Sequence, residues 1–135
     1  MSDSTLLPEL VFRSAERTPT ASALTYGKTT LDYASLANAM RRFAGGLLSL
    51  GLSRGERVAI YLEKRFETVI ASFGAPVAGA VFVPINPLLK PEQVGYILRD
   101  CNVRILVTSP ERLTLLQETL TECHDLRQIV MLDSD

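Results

Sequence analysis

From Val58 onward the chain alternates two lengths of apolar pattern, and this alternation constrains the fold more than any other feature. The short runs are Val58 to Leu62, Val81 to Val83, Val103 to Val107 and Ile129 to Leu132. Between them lie helix-length segments, Phe66 to Gly79, Pro91 to Cys101 and Pro110 to Thr121. A continuous apolar run suits a strand covered on both faces. Strands separated by helices form a sheet through crossover connections. The order β-α-β-α-β-α-β therefore predicts an α/β fold: a mostly parallel sheet with flanking helices in Rossmann-like layers.

A helix and a small hairpin precede this unit. Leu6 to Arg17 reads as an amphipathic helix, with Leu6, Leu10 and Ser14 on one side, Leu7, Val11 and Ala15 beside them, and Pro19 ending it. Ala23 to Tyr26 and Thr29 to Leu31 flank Gly27-Lys28, where Gly27 can take the positive φ of a tight turn. Leu36, Met40, Phe43, Leu47 and Leu50 form one stripe of a helix from Tyr33 to Leu50. Asp32 is placed to cap that helix and Gly51 to stop it. Ser109-Pro110-Glu111 is a compact helix start: a capping hydroxyl, a proline in the first turn and an acid favoured by the dipole. Pro76 removes one donor from its helix and predicts a bend near Ser72, tolerated between Gly74 and Gly79.

Composition narrows the function. With 47% hydrophobic and 21% charged residues in 135, the chain has material for one core and is not a disordered tail. Fourteen basic and fifteen acidic residues leave a net charge of -1, so no overall field recruits nucleic acid or anionic lipid. The apolar stretch from Val69 to Val83 is interrupted by Ser72, Gly74, Pro76 and Gly79 and is too short to span a bilayer. No basic start followed by an apolar run marks a signal peptide. Two cysteines, Cys101 and Cys123, are too few for a disulfide framework. A cytoplasmic setting is the expectation. Cys123-His124 lacks the second ligand cluster that a zinc site needs.

Tests for nucleotide and nucleophile motifs give little. Gly27-Lys28-Thr29 carries the second half of a phosphate loop, but Ser22 stands where its leading glycine belongs and a hairpin strand follows it. Gly51 and Gly55 bracket a turn, and Gly74 and Gly79 belong to a helix and its end, so no dinucleotide fingerprint exists. His124 has no serine or cysteine partner of suitable geometry. Ligands of open α/β sheets bind beyond the strands' carboxyl ends. Those ends are Glu63-Lys64-Arg65, Pro84-Ile85-Asn86-Pro87 and Thr108-Ser109. Lys64 and Arg65 oppose the dipole of the following helix, a hint of an anionic visitor, against which stands a solvated pair balanced by Glu63 and Glu67. Pro84, Pro87 and Pro91 stiffen the connection around Asn86, which reads as a turn cap.

Three segments carry a resemblance. Ala23-Leu24-Thr25-Tyr26 through Leu31-Asp32-Tyr33-Ala34-Ser35-Leu36, Gly51 to Leu62, and Val77 to Pro87 resemble, in order and spacing, the opening blocks of AMP-forming acyl-CoA synthetases of the adenylate-forming superfamily. Phe12 to Pro19, Lys64-Arg65-Phe66-Glu67 and Asn86 to Pro91 look most like acyl-CoA ligases associated with exosortase A systems.

The resemblance implies that residues 1–135 form a partial N-terminal subdomain of the adenylate-forming fold, without an internal boundary. For the full-length enzyme it implies ATP, Mg²⁺ and coenzyme A acting on a carboxylic acid. The carboxylate would attack the α-phosphate of ATP, and a thiol would then take the acyl group. The family's phosphate loop, adenine segment, ribose-binding aspartate and catalytic lysine have no counterpart before Asp135. No catalytic, cofactor-binding or metal residue is therefore assigned, and the fragment alone is expected to be inactive and to bind no cofactor. Alternatives are an amino-acid adenylation domain serving a carrier protein, a standalone interaction domain, and a nucleotide-binding regulatory domain. An incomplete sheet would also expose an apolar surface able to pair with a second copy.

Overall fold

The computed structural model describes residues 3–132, with side chains from residue 8 onward. Helix α1 (Asp3–Arg17) leads into the hairpin β1 (Ser22–Tyr26) and β2 (Thr29–Asp32), then helix α2 (Tyr33–Ser49). The repeating unit follows: β3 (Arg57–Tyr61), α3 (Phe66–Val77), β4 (Val81–Pro84), α4 (Pro91–Asp100), β5 (Val103–Thr108), α5 (Pro110–Leu120) and β6 (Gln128–Met131). The elements anticipated from the pattern are all present, with ends displaced by at most three residues. The sheet order is β4-β3-β5-β6, and each neighbouring pair in it is parallel.

Alternation along β3 explains the layering. Val58 and Ile60 face α2 and α3, packing with Ala44, Leu47, Ala71 and Ala75. Ala59 and Tyr61 face α4 and α5, packing with Val94, Leu98 and Leu116. Strand β5 does the same after one irregularity. The register passes from Arg57↔Val103 to Val58↔Ile105, leaving Arg104 as an extra residue. That bulge turns Val103 and Leu106 to one face and Ile105 and Val107 to the other.

Local signals act as their chemistry requires. The Ser35 backbone N–H donates to Asp32 Oδ1 at 2.8 Å, closing the α2 cap. Gly51 follows the helix with φ +87, a left-handed stop that a side chain would strain. Asn102 takes the same role after α4, with φ 50, and its amide donates to Asp125 Oδ2 at 2.7 Å. Pro76 lies next to the last residue of α3, and the helix runs through Ser72 as one element.

Two stripes differ from the sequence expectation. In α1 the buried positions among the described side chains are Pro8 and Val11, with Phe12 and Ala15 half-buried beside them, whereas Leu10 is exposed. Leu6 and Leu7 lie outside the described side chains. In α2 the buried set is Leu36, Ala37, Met40, Ala44 and Leu47, while Leu50 sits outside at the helix end. Alanines permit the close approach of α3, and residue size alone hid that in the sequence.

Helices α2 and α3 pack closely at Gly74. A Cβ there would lie 2.9 Å from Phe43 Cδ2 and 3.1 Å from the Met40 carbonyl oxygen. Gly74→Ala is expected to destabilise the chain by about 1–3 kcal/mol through overpacking. The gain of roughly 1 kcal/mol in helix propensity does not offset this. Urea unfolding of the two proteins measures the difference; an alanine variant as stable as the parent would contradict the close packing.

Candidate functional site

The strand order places a topological switch point between β3 and β5. From β3 the chain moves outward to β4, then returns across β3 to β5 and continues to β6. In open α/β sheets this is where a crevice opens beyond the carboxyl ends of the strands. The residues gathered there are Tyr61 at the end of β3 and Glu63 beyond it, Ile85 to Leu88 after β4, and Thr108 at the end of β5 with Ser109 and Arg112 beyond it.

The two strand ends are joined by a buried hydrogen bond. Thr108 Oγ1 donates to the Tyr61 carbonyl at 2.8 Å, and Thr108, Ser109 and Tyr61 are buried. Arg112 lies in the first turn of α5, one turn beyond Ser109, whose Oγ accepts from its backbone N–H at 3.4 Å. The Arg112 Nε donates to Glu63 Oε2 at 2.7 Å. Its Nη1 donates to the Pro87 carbonyl at 2.9 Å. The guanidinium carbon stands 5.1 Å from the centre of the Tyr61 ring, within cation–π range.

Arg65 enters from the start of α3, with Nη1 3.8 Å from Glu63 Oε1 and Nε 3.6 Å from Glu67 Oε2. Two guanidinium groups thus meet two carboxylates. The hydrogen bond from Arg112 is the main reason that the Glu63 carboxyl lies below its ordinary range. Thr68 Oγ1 donates to the Glu63 backbone carbonyl at 2.6 Å, tying the first turn of α3 to the same point.

Glu63 and Glu67 do balance Arg65, as read from the sequence, but the Lys64–Arg65 pair is not solvated as a unit. Arg65 is not a solvated partner of Lys64: its side chain is only 16% exposed and engages Glu63 and Glu67. Lys64 is exposed and forms no ion pair among the described residues. The positive charge that hinted at an anion is largely answered within the protein. Asn86 does what a turn cap does, its Oδ1 accepting from the Leu88 N–H at 2.9 Å.

The other motifs do not converge here. Gly27-Lys28 forms the β1–β2 turn, with Gly27 at φ +59, and Thr29 opens β2. Cys123 is buried while His124 faces solvent. Burial chiefly raises the Cys123 thiol pKa, so it favours the protonated form. Among the described residues no three His, Cys, Asp or Glu side chains are grouped to hold a metal, and no helix is long and apolar enough to cross a membrane. The residue missed in the sequence is Arg112. Its signal was available in part, because a helix start directly after a strand puts its first-turn side chains over the carboxyl edge.

Fold and edge together define an α/β layer built to present loops at a switch point. The description "AMP-binding enzyme" belongs to a family whose model matches residues 11–135, and this chain is a member of that family. Tyrocidine synthase 3 of Brevibacillus parabrevis is 32% identical over 123 residues, covering 89% of this chain and 2% of that protein. Phosphinothricin tripeptide synthetase PhsB of Streptomyces viridochromogenes is 39% identical over 107 residues, covering 78% and 9%. The crystal structure of the anthranilate CoA ligase AuaEII with anthranoyl-AMP matches with TM-score 0.88 and 30% identity, covering 93% of this chain and 24% of that one. The N-terminal domain of FACL13 from Mycobacterium tuberculosis shares the fold, with TM-score 0.86 at 22% identity and 33% of its chain covered. The chain therefore spans a small part of these curated relatives and a quarter to a third of these solved chains.

The Glu63–Arg112 pair gives a pH signature. A carboxylate with a lowered folded pKa adds stability above its ordinary value, here 4.5. That stability is lost as pH falls through the lowered folded value. Glu63 is 45% exposed, so after solvent screening the pair is worth no more than about 1 kcal/mol. Glu63→Gln is expected to lower stability slightly at neutral pH and to flatten the acid limb of the stability curve. Urea midpoints measured from about pH 6 to pH 3 check this; parallel curves for both proteins would refute it.

Proposed function

We propose that this chain forms the amino-terminal scaffold of an ATP-dependent acid–thiol ligase. In the first step a carboxylate oxygen attacks the α-phosphorus of ATP, and pyrophosphate leaves to give an acyl-adenylate. In the second, the thiol of coenzyme A attacks the acyl carbon and AMP leaves. ATP and Mg²⁺ would serve the first step. The reading rests on the family match across residues 11–135. Coenzyme A as acceptor is supported by the 30% identity to a CoA ligase whose crystal holds an acyl-adenylate. The segments Phe12 to Pro19 and Asn86 to Pro91 support placing it near the ligases of exosortase A systems.

A second reading has its own support. The tyrocidine synthase at 32% identity and the tripeptide synthetase at 39% favour an amino acid as the activated carboxylate and a carrier-protein thiol as acceptor. In both readings residues 1–135 supply walls and loops and no reacting group.

Expression of the complete gene, followed by isotopic ATP–pyrophosphate exchange with fatty acids, aryl carboxylates and amino acids, separates the two. Exchange with a non-amino carboxylate and formation of its CoA thioester are expected. Exchange restricted to an amino acid would select the second reading, and no exchange with any acid would overturn both. For residues 1–135 alone, calorimetry is expected to find ATP binding no tighter than about 1 mM, roughly 4 kcal/mol. Micromolar binding would instead point to a nucleotide-binding regulatory domain.

A further inference from the structure

We propose that Arg112 is a positioning residue that sets the Asn86–Leu88 turn over the switch-point crevice. One planar group joins the carboxyl ends of three strands. It grows from the helix after β5, grips the carboxylate after β3 with Nε at 2.7 Å, and holds the backbone after β4 with Nη1 at 2.9 Å. The guanidinium carbon stands over the Tyr61 ring, 5.1 Å from its centre.

The turn needs such a support. Buried Ile85, whose N–H donates to the Ile60 carbonyl at 3.0 Å, and half-buried Leu89 anchor its two ends, but Leu88 at the tip is 87% exposed, so packing does not fix the tip between them. Within the turn the Leu88 N–H binds Asn86 Oδ1 at 2.9 Å and the Leu89 N–H binds the Asn86 carbonyl at 3.1 Å. These bonds set the turn's shape but not the place of its tip above the sheet. Pro84 and Pro87 restrict its path in the same way. The bond from Arg112 to the Pro87 carbonyl connects that preshaped turn to β3 and α5. Lysine cannot replace it, because a compact ammonium lacks the fork that reaches two acceptors at once.

The link from turn position to reaction rate rests on the ligase reading above; the link from Arg112 to turn position does not. Both are tested with Arg112→Ala and Arg112→Lys, and with Glu63→Gln, which keeps the Pro87 contact. In residues 1–135, NMR order parameters of the Leu88 and Leu89 amides are expected to fall from about 0.85 to below about 0.6 in both Arg112 variants. Those of Ala59 and Ile60 in β3 should stay near about 0.85, and Glu63→Gln should leave the turn rigid.

In the complete enzyme, Arg112→Lys is expected to lower kcat/KM for carboxylate-dependent pyrophosphate exchange by about tenfold or more, the penalty for a misplaced wall. A turn that stays rigid in both Arg112 variants overturns the proposal. A loosened turn with unchanged kcat/KM overturns its functional half. An unmutated enzyme with no exchange at all sinks the ligase reading, while the order parameters still decide the role of Arg112.

Discussion

Everything in this fold hangs on β3 being covered on all sides. Its backbone is paired with β4 on one side and β5 on the other, and its side chains alternate between two separate cores. Val58, Ala59, Ile60 and Tyr61 are each at most 3% exposed. A strand so enclosed cannot slip by one residue, because a slip would move every side chain into the opposite core. The sizes are also matched to their sides. The alanine-rich α2–α3 layer meets Val58 and Ile60, and the larger Tyr61 ring lies in the α4–α5 layer beneath Arg112. Fixing β3 in register fixes where Glu63 emerges, and therefore where any site at the carboxyl edge can be built.

Much of this was legible in the sequence because it depends on periodicity. The continuous apolar runs of β3 and β5 announce burial on both faces. Asp32, Ser109 and Gly51 act at the helix ends they marked. The bulge at Arg104 was not legible, since a single polar residue in a strand looks the same whether it occupies a ladder position or an extra one. Likewise, Leu10 and Val11 are equally apolar, and only the arrival of α2 and α3 decides which of them is buried. The site was legible as a place, the set of strand ends, but not as contacts. Arg112 is 49 residues from Glu63 and 25 from Pro87. No local pattern reports a bond across that distance.

The sheet carries charged networks at both ends, and they differ in kind. At the amino end, Glu56 accepts from Arg127 and lies 3.3 Å from Arg104, which also reaches Asp125 at 3.1 Å. The Arg127 backbone N–H donates to the Arg104 carbonyl at 2.8 Å. These bonds fasten the approach to β6, an edge strand, and the bulged Arg104 is turned outward to make them. At the carboxyl end, Arg112 binds a carboxylate and also a bare backbone carbonyl in a loop with an exposed tip. The first network closes an edge. The second holds open ground in a defined shape.

That contrast bears on what an adenylate-forming enzyme asks of its leading segment. Stabilising charge in a reaction requires donors and walls that are in place before the substrate arrives. A loop that must be placed by the substrate takes its ordering cost out of binding energy. Prolines at 84, 87 and 91 remove part of that cost from the unfolded chain, and the Asn86 cap removes more by closing the turn on itself. Both act within the loop, and the Ile85 N–H bond to the Ile60 carbonyl at 3.0 Å ties only its base to β3, so none of them can place the tip. A contact from a different strand–helix unit can, and the planar, always-charged guanidinium of Arg112 suits that task because its fork pairs with Glu63 and Pro87 at once. The carboxyl edge is therefore rigid for two separable reasons, one written into consecutive residues and the other into the meeting of β3, β4 and α5.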